Sequence, residues 1–367
     1  MNKIYVDVSD SNYILSGNIE ILLDDIATIR YLRELDFETN ENTIIIGFNK
    51  ETKISILSDI EGIAEDFDLL IEYKKSVEDI ADAFKRDQEN FKRFSQKAKD
   101  IRNDKFNDDV ELVNNFNIFK EVLLEKMSNR RLYPRQILSA YHMAFSQNSC
   151  NFSVPGAGKS SIVYGAFTYL KNLSESNAKF VDKILIIGPL SSFRPWEKEY
   201  KECFGKWPLS QRLSGDANIS RLDKENHLYS ADPAELTLMS HSALQYYKTD
   251  VINFIKQNKV MVVVDEAHKI KNVHGIWGNS AVEISKEAPC RVVLTGTPAP
   301  RGYEDIYNLI RFIYPFNYED IMKIHYGQLR ALTDSDAGID NPRVESFVEN
   351  IKPFFIRINK KELNLPG

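Results

Sequence analysis

Four short apolar runs dominate the second half of the chain: Lys183–Gly188, Glu235–Ser240, Val260–Asp265 and Arg291–Thr295. Each is a Val/Ile/Leu-rich stretch of strand length, without the polar alternation of a half-exposed strand, and so predicts a strand buried on both faces of a parallel sheet. Between and before them lie stretches with helical spacing of apolar residues, Ser160–Leu173, Phe193–Phe204, Ala243–Gln257 and Trp277–Ile284. Alternation of this kind predicts a doubly wound α/β domain whose ligands bind at the carboxyl ends of the strands.

The first third of the chain follows another pattern. Ile4–Val8 and Thr43–Phe48 are strand-like, Ile19–Leu35 has helical spacing, and Asn40-Glu41-Asn42 has the composition of a turn. These features predict a small α+β domain. From Lys74 to Asn103 a highly charged stretch carries Val77, Ile80, Ala81, Phe84, Phe91 and Phe94 at near-helical spacing, and Val110–Met127 predicts a further helix. Both apolar stripes are expected to pack on their own domain. The change of pattern places the expected boundary near residue 130, with an accessory domain over 1–130 and an α/β domain over 131–367.

Charge sharpens this division. Residues 1–130 hold 18 Lys and Arg against 28 Asp and Glu, and the rest of the chain holds 29 against 25. An excess of acid opposes binding to a polyanion, so the accessory domain is expected to be a protein-interaction or autoinhibitory element and not a nucleic-acid surface. With 367 residues and 43% hydrophobic content the chain can bury a sizeable core. No apolar run has the length of a membrane span and the first residues lack the apolar core of a leader, which gives an expectation of a cytoplasmic protein. Cys150, Cys203 and Cys290 are far apart in sequence and have no metal-ligand spacing, so buried thiols are expected.

The candidate chemistry lies at two strand ends. In Val154-Pro155-Gly156-Ala157-Gly158-Lys159-Ser160-Ser161, the glycines permit backbone conformations that turn successive N–H groups toward phosphate oxygens at the start of a helix. Lys159 supplies a point charge for the β and γ phosphates of ATP, and the Ser160 hydroxyl is a magnesium ligand in loops of this pattern. The segment lacks the first glycine of the full motif, having Phe152 or Ser153 near that place. Downstream, Val262-Val263-Val264-Asp265-Glu266-Ala267-His268 ends an apolar strand in two adjacent carboxylates. Asp265 is expected to hold Mg²⁺, and Glu266 to orient or deprotonate the attacking water. Each half occurs elsewhere as a plain surface turn or strand end; the two in this order point to ATP chemistry.

With these motifs in place, residues 130–365 resemble the first RecA-like lobe of the superfamily-two helicases, and more narrowly the Swi/Snf-type double-stranded DNA translocases. Leu132-Tyr133-Pro134-Arg135-Gln136 is similar to the family's adenine-recognising segment, which implies Gln136 as the base-reading amide. Ile186-Ile187-Gly188-Pro189-Leu190-Ser191-Ser192 followed by Trp196, the DEAH-box run Asp265–Asn272, and Leu294-Thr295-Gly296-Thr297-Pro298 match further motifs. So do Glu304–Ile313 and the junction Ile351–Arg357 with Lys360-Lys361-Glu362-Leu363. The resemblance implies coupling of the nucleotide site through His268 to Thr295 and Thr297, and duplex contacts at Ser191, Ser192, Ser240 and Ser242. Ser192 and Ser242 also precede helical stretches, so capping is open for both. Trp196 and Trp277 are expected to be packing residues.

The resemblance further implies a second RecA-like lobe, in cis or on another chain, because no arginine motif of that lobe occurs in these residues. Two alternatives stay open: a nucleotide-dependent binding or regulatory module that does not translocate, and the lobe of an RNA helicase. Phage defence, repair and remodelling all use engines of this class, and the sequence does not choose among them.

Overall fold

The computed structural model describes residues 2–49, 52–127, 129–215, 218–359 and 362. The chain divides into two compact units, Met1–Phe94 and Ser95–Gly367. The first is a five-stranded sheet made of β1 (Lys3–Ser9), β2 (Asn12–Gly17), β3 (Phe37–Asn40), β4 (Thr43–Gly47) and β5 (Leu70–Tyr73), in the order β3-β4-β2-β1-β5. Only the β1–β5 pair is parallel. Alternate residues Ile4 and Val6, Tyr13 and Leu15, and Ile44 and Ile46 enter one core with Leu57 and Ile60 of the helix Lys53–Asp66. This is the predicted small α+β domain; the Ile19–Leu35 stretch forms two helices, Glu20–Leu23 and Ile26–Glu34, the second capped by the Asp25 side chain on the Thr28 N–H.

The division expected near residue 130 falls instead at Phe94/Ser95, within the long helix Lys75–Arg102. The physical reason is apolar burial. Ile101, Phe106, Leu112, Phe119 and Leu123 join the core of the second unit, where the Phe119 ring lies 5.5 Å from Tyr141 and 5.1 Å from Tyr169. Charge agrees with this boundary. Residues 1–94 hold 11 Lys and Arg against 21 Asp and Glu, whereas residues 95–130 hold 7 of each.

The second unit is a seven-stranded, wholly parallel sheet in the order β12-β6-β11-β10-β7-β9-β8. Its strands are β6 (Asn148–Asn151), β7 (Lys183–Ile187), β8 (Ser210–Arg212), β9 (Leu236–Met239), β10 (Val260–Val264), β11 (Cys290–Leu294) and β12 (Phe355–Ile356). On one face Ile184, Ile186, Met261, Val263, Val292 and Leu294 pack with the helices Val110–Lys126, Pro134–Ser146, Lys159–Lys171 and Phe193–Phe204. Their neighbours Leu185, Ile187, Val262, Val264 and Val293 are equally buried, so the other face is covered as well. This is the predicted doubly wound α/β architecture, and all four apolar runs are strands within a residue of the expected ends. Cys150, Cys203 and Cys290 are free, buried thiols, and burial pushes the pKa of each upward.

Burial also gives this unit a dependence on pH. His142 is enclosed in the core and bonded through Nε2 to the Pro353 carbonyl at 2.7 Å. Burial lowers its pKa from 6.5 to about 4. The unfolded chain therefore takes up the proton first as pH falls. Stability present above about 6.5 is lost progressively down to about 4, by at most about 1.4 kcal/mol for each pH unit crossed. Urea unfolding midpoints should decline over that window, and less steeply in His142→Gln; parallel declines in both proteins would contradict this assignment.

Candidate functional site

Parallel strands deliver their carboxyl ends to one edge, and this edge collects five of the segments singled out in the sequence. β6 leads into Val154–Ser161, β7 into Gly188–Ser192, β9 into Ser240–Ser242, β10 into Asp265–His268 and β11 into Thr295–Thr297. Asp265 continues the ladder through its N–H on the Ile187 carbonyl at 2.8 Å, and Thr295 does so on Asn151 at 3.1 Å.

In the glycine loop, Gly156 and Gly158 take left-handed conformations with φ of 83° and 78°. The positive φ calls for glycine at 158, and a Cβ there would also lie 2.4 Å from Nε2 of Gln136, so that amide would have to move aside. Gly158 caps the helix Lys159–Lys171, whose first-turn N–H groups have no partner within the helix. Gln136 donates from Nε2 to the Ala157 carbonyl at 3.0 Å and accepts the Tyr133 N–H on Oε1 at 2.9 Å. The amide expected to read a base therefore also clamps the loop, with one N–H and one lone pair to spare. A cavity of about 350 Å³ opens beside this segment, lined in part by Leu123, Met127, Leu132 and Ile137.

Lys159 bends back over the loop and donates from Nζ to the carbonyls of Ser153 and Val154 at 3.0 and 3.4 Å. Burial lowers its pKa, against the opposing pull of Asp265 and Glu266. Ser161 points elsewhere. It is buried and its hydroxyl donates to Glu199, which also holds Arg130 at 2.7 Å, so its side chain serves helix packing and not the mouth of the loop.

Asp265 accepts the Trp196 indole N–H on Oδ2 at 3.0 Å and the Glu266 N–H on Oδ1 at 2.9 Å. Glu266 has φ 48°, a conformation uncommon for a side-chain-bearing residue and frequent at functional sites. Its carboxylate lies 3.3 Å from Nδ1 of His268, and that nitrogen is 3.4 Å from the Thr295 hydroxyl. Thr295 Oγ1 in turn accepts the Thr297 N–H at 3.1 Å. The structure thus places Glu266 and Thr295 on either side of one His268 nitrogen, which can bond one of them, and ties Thr297 to Thr295.

Neither Ser192 nor Ser242 makes a capping bond with its side chain: Ser192 stands at the N-cap of Phe193–Phe204 without one, and Ala243, not Ser242, is at the N-cap of Leu244–Gln257. Ser192 donates to the Pro189 carbonyl at 2.8 Å, and Ser240 Oγ lies 3.0 Å from Ser242 Oγ and 3.1 Å from Ser214 Oγ. Ser191 and Ser242 are exposed. Trp196 is buried as expected, but its N–H on Asp265 was not legible in the sequence. Nor was His241, whose Nε2 meets the Asp265 carbonyl at 2.8 Å. In the junction motif, Lys360, Lys361 and Leu363 lie outside the described residues.

The model of the SNF2-related domain matches residues 25–366, and the chain belongs to that family. It is 24% identical over 205 residues to Protein CHROMATIN REMODELING 19 of Arabidopsis thaliana, covering 54% of this chain and 26% of that protein. It is 24% identical over 187 residues to the human chromatin-remodeling ATPase INO80 (49% and 12%), and 23% identical over 201 residues to the mouse DNA excision repair protein ERCC-6-like (51% and 16%). The chain thus spans about a quarter or less of the length of these relatives. Among solved structures, the Sulfolobus solfataricus SWI2/SNF2 ATPase core in complex with dsDNA aligns with a TM-score of 0.50 and 23% identity, over 65% of this chain and 47% of that one. That likeness shows a shared RecA-like fold.

Hard oxygen donors at Ser160 and Asp265 suit magnesium, and a glycine loop opening a helix suits a phosphate chain. Lys159→Ala should therefore weaken binding of Mg²⁺·ATP by about ten-fold or more, as loss of a charge-assisted contact implies. Folding stability should change by roughly 1 kcal/mol or less, because the amine packs against a loop and not a core. Calorimetric titration checks this, and unchanged affinity would remove the loop from the nucleotide site.

Proposed function

We propose that this chain is the ATP-binding lobe of an ATP-dependent double-stranded DNA translocase or remodeller. The observation that carries the reading is the meeting of the glycine loop and the Asp265-Glu266 pair at the carboxyl edge of one parallel sheet, within a chain of the SNF2-related family. Backbone N–H groups of Gly156–Ser161 cradle the phosphates, and Pro155, which has none, fixes the entry to the loop. Lys159 leaves the Ser153 and Val154 carbonyls to meet them. Gln136 and the cavity beside it, lined by apolar side chains together with Lys120, Arg130 and Arg131, receive the base. Ser160 and Asp265 hold Mg²⁺, which when bound neutralises charge on the β and γ phosphates. Glu266 orients and deprotonates water, and His268 relays its position to Thr295 and Thr297. Hydroxyls at Ser191, Ser192, Ser240 and Ser242 position a duplex by its phosphates without reading sequence.

A second lobe, in cis or on another chain, completes the motor. The family likeness to remodelling and repair proteins favours duplex DNA over RNA. Bacterial defence is a further setting that this engine would suit. The unit Met1–Phe94, with its acid excess, is proposed to bind a protein partner. Photo-crosslinks from duplex DNA to the full chain should then map to residues 95–367; crosslinks concentrated in 1–94 would overturn that assignment.

Glu266→Gln keeps shape but cannot take a proton. In an assembly with the second lobe it should retain ATP and DNA binding and lose turnover by about two to four orders of magnitude. Hydrolysis at the parental rate would show that another group is the base.

On its own the chain should bind ATP and hydrolyse it slowly. The described residues supply cradle, metal ligands and base, whereas arginine contacts on the transferred phosphoryl group add roughly three to five orders of magnitude in rate. Steady-state phosphate release should be low and little stimulated by duplex DNA. Fast, strongly stimulated release would place the arginine function within residues 1–367.

A further inference from the structure

Asp265 is gripped by more than its own strand. From one side comes Trp196, four residues after Ser192 on the helix Phe193–Phe204, with its indole N–H on Oδ2 at 3.0 Å. An indole N–H can only donate, and the bond uses one lone pair of an oxygen that has two, so the carboxylate keeps capacity for a hydrated cation. From the other comes His241, between Ser240 and Ser242, with Nε2 2.8 Å from the Asp265 carbonyl. A carbonyl only accepts, so Nε2 carries the proton.

Both side chains are themselves held firmly. Trp196 is 1% exposed and meets Tyr164 edge-on at 5.5 Å, while the Tyr164 hydroxyl donates to the Trp196 carbonyl at 2.8 Å. Tyr164 lies on the helix that the glycine loop opens. His241 is 5% exposed and stacks on Trp277 at 6.4 Å with an interplanar angle of 21°. At the strand end the contact is closer still: a Cβ on Gly188 would lie 2.9 Å from Ser192 Oγ and 3.2 Å from Asp265 Cβ. The backbone of Gly188 therefore fills the space between Ser192 and Asp265, with no room for a side chain. Close-packed groups of this kind transmit small displacements and do not absorb them.

We infer that Trp196 and His241 are positioning residues that lock the two serine-bearing segments to Asp265, so that occupancy of the metal and nucleotide site and of the duplex track are sensed by each other. The inference rests on the nucleotide and DNA reading above. It is separate from the His268–Thr295 relay, which leaves the same edge toward β11. Hydrogen bonds that orient a metal-binding carboxylate from outside typically contribute 10- to 100-fold to metal affinity.

The test uses the full chain and two readouts, the Mg²⁺ concentration for half-maximal binding of a fluorescent ATP analogue, and amide hydrogen exchange with and without Mg²⁺ and that analogue. In the parental protein, ligand should slow exchange in Leu190–Arg194 and Ser240–Leu244. Trp196→Phe, which removes the N–H and keeps a ring, should raise the Mg²⁺ requirement about ten-fold and abolish protection in the first segment only. His241→Phe should abolish it in the second only, and His241→Gln, which restores a donor, should recover it. Should Trp196→Phe fail to fold, the two His241 variants decide. Parental Mg²⁺ dependence with protection in both segments of the folded variants would overturn the positioning role while leaving the nucleotide site intact. Parental ATP binding that is absent, or indifferent to Lys159→Ala, would instead remove the nucleotide reading and this inference with it.

Discussion

The Asp265 carboxylate leaves a strand that has no exposed face: Val260 to Val264 are all fully buried, between β7 on one side and β11 on the other. A charge can be held at such a place only where the strand ends and donors are waiting. The Trp196 indole and the Glu266 N–H are those donors. The remaining features of the site follow from keeping this position fixed. Glu266 is thrown into a left-handed turn, His268 is brought back toward β11, and Lys159 bonds to the Ser153 and Val154 carbonyls while Asp265 and Glu266 favour its charged form.

These local costs are met by the body of the sheet. A glutamate at φ 48° and a partly buried lysine each oppose folding, and both sit on an edge whose central strand β10 is fully buried, with β7 and β11 buried but for Lys183 and Arg291. The clamp of Gln136 on Ala157 has a similar consequence. It fixes the loop from a neighbouring helix, so the phosphate cradle is shaped by tertiary structure as well as by its glycines. Preorganisation of this sort means that ligand binding spends little energy on ordering the site.

Much of this was legible because parallel strands buried on both faces leave a plain trace, continuous Val/Ile/Leu runs, and because the loop and the Asp-Glu pair have fixed chemistry. β6 left no such trace. Its sequence is Asn-Ser-Cys-Asn, and it is buried only because Asn151 finds Ser139 and the Ser153 N–H as partners. β8 and β12 are three and two residues long, too short for periodicity to register. The expected boundary lay further on because charged, helix-periodic sequence continues to residue 127, while the deciding fact, which core Phe106, Leu112 and Phe119 enter, is a matter of tertiary packing. The contacts of Trp196 and His241 with Asp265 join residues 69 and 24 positions apart, and no spacing rule in the sequence foretells them.

The central claim is that one edge of the sheet holds Mg²⁺·ATP, and a structure with Mg²⁺ and a non-hydrolysable ATP analogue tests it most directly. Phosphates should lie on the N–H groups of residues 156–160, with Lys159 Nζ withdrawn from Ser153 and Val154 to meet them and magnesium density between Ser160 and Asp265. Nucleotide bound elsewhere, with Lys159 still on the two carbonyls and the Asp265 carboxylate bonded to Trp196 and Glu266 alone, would contradict it.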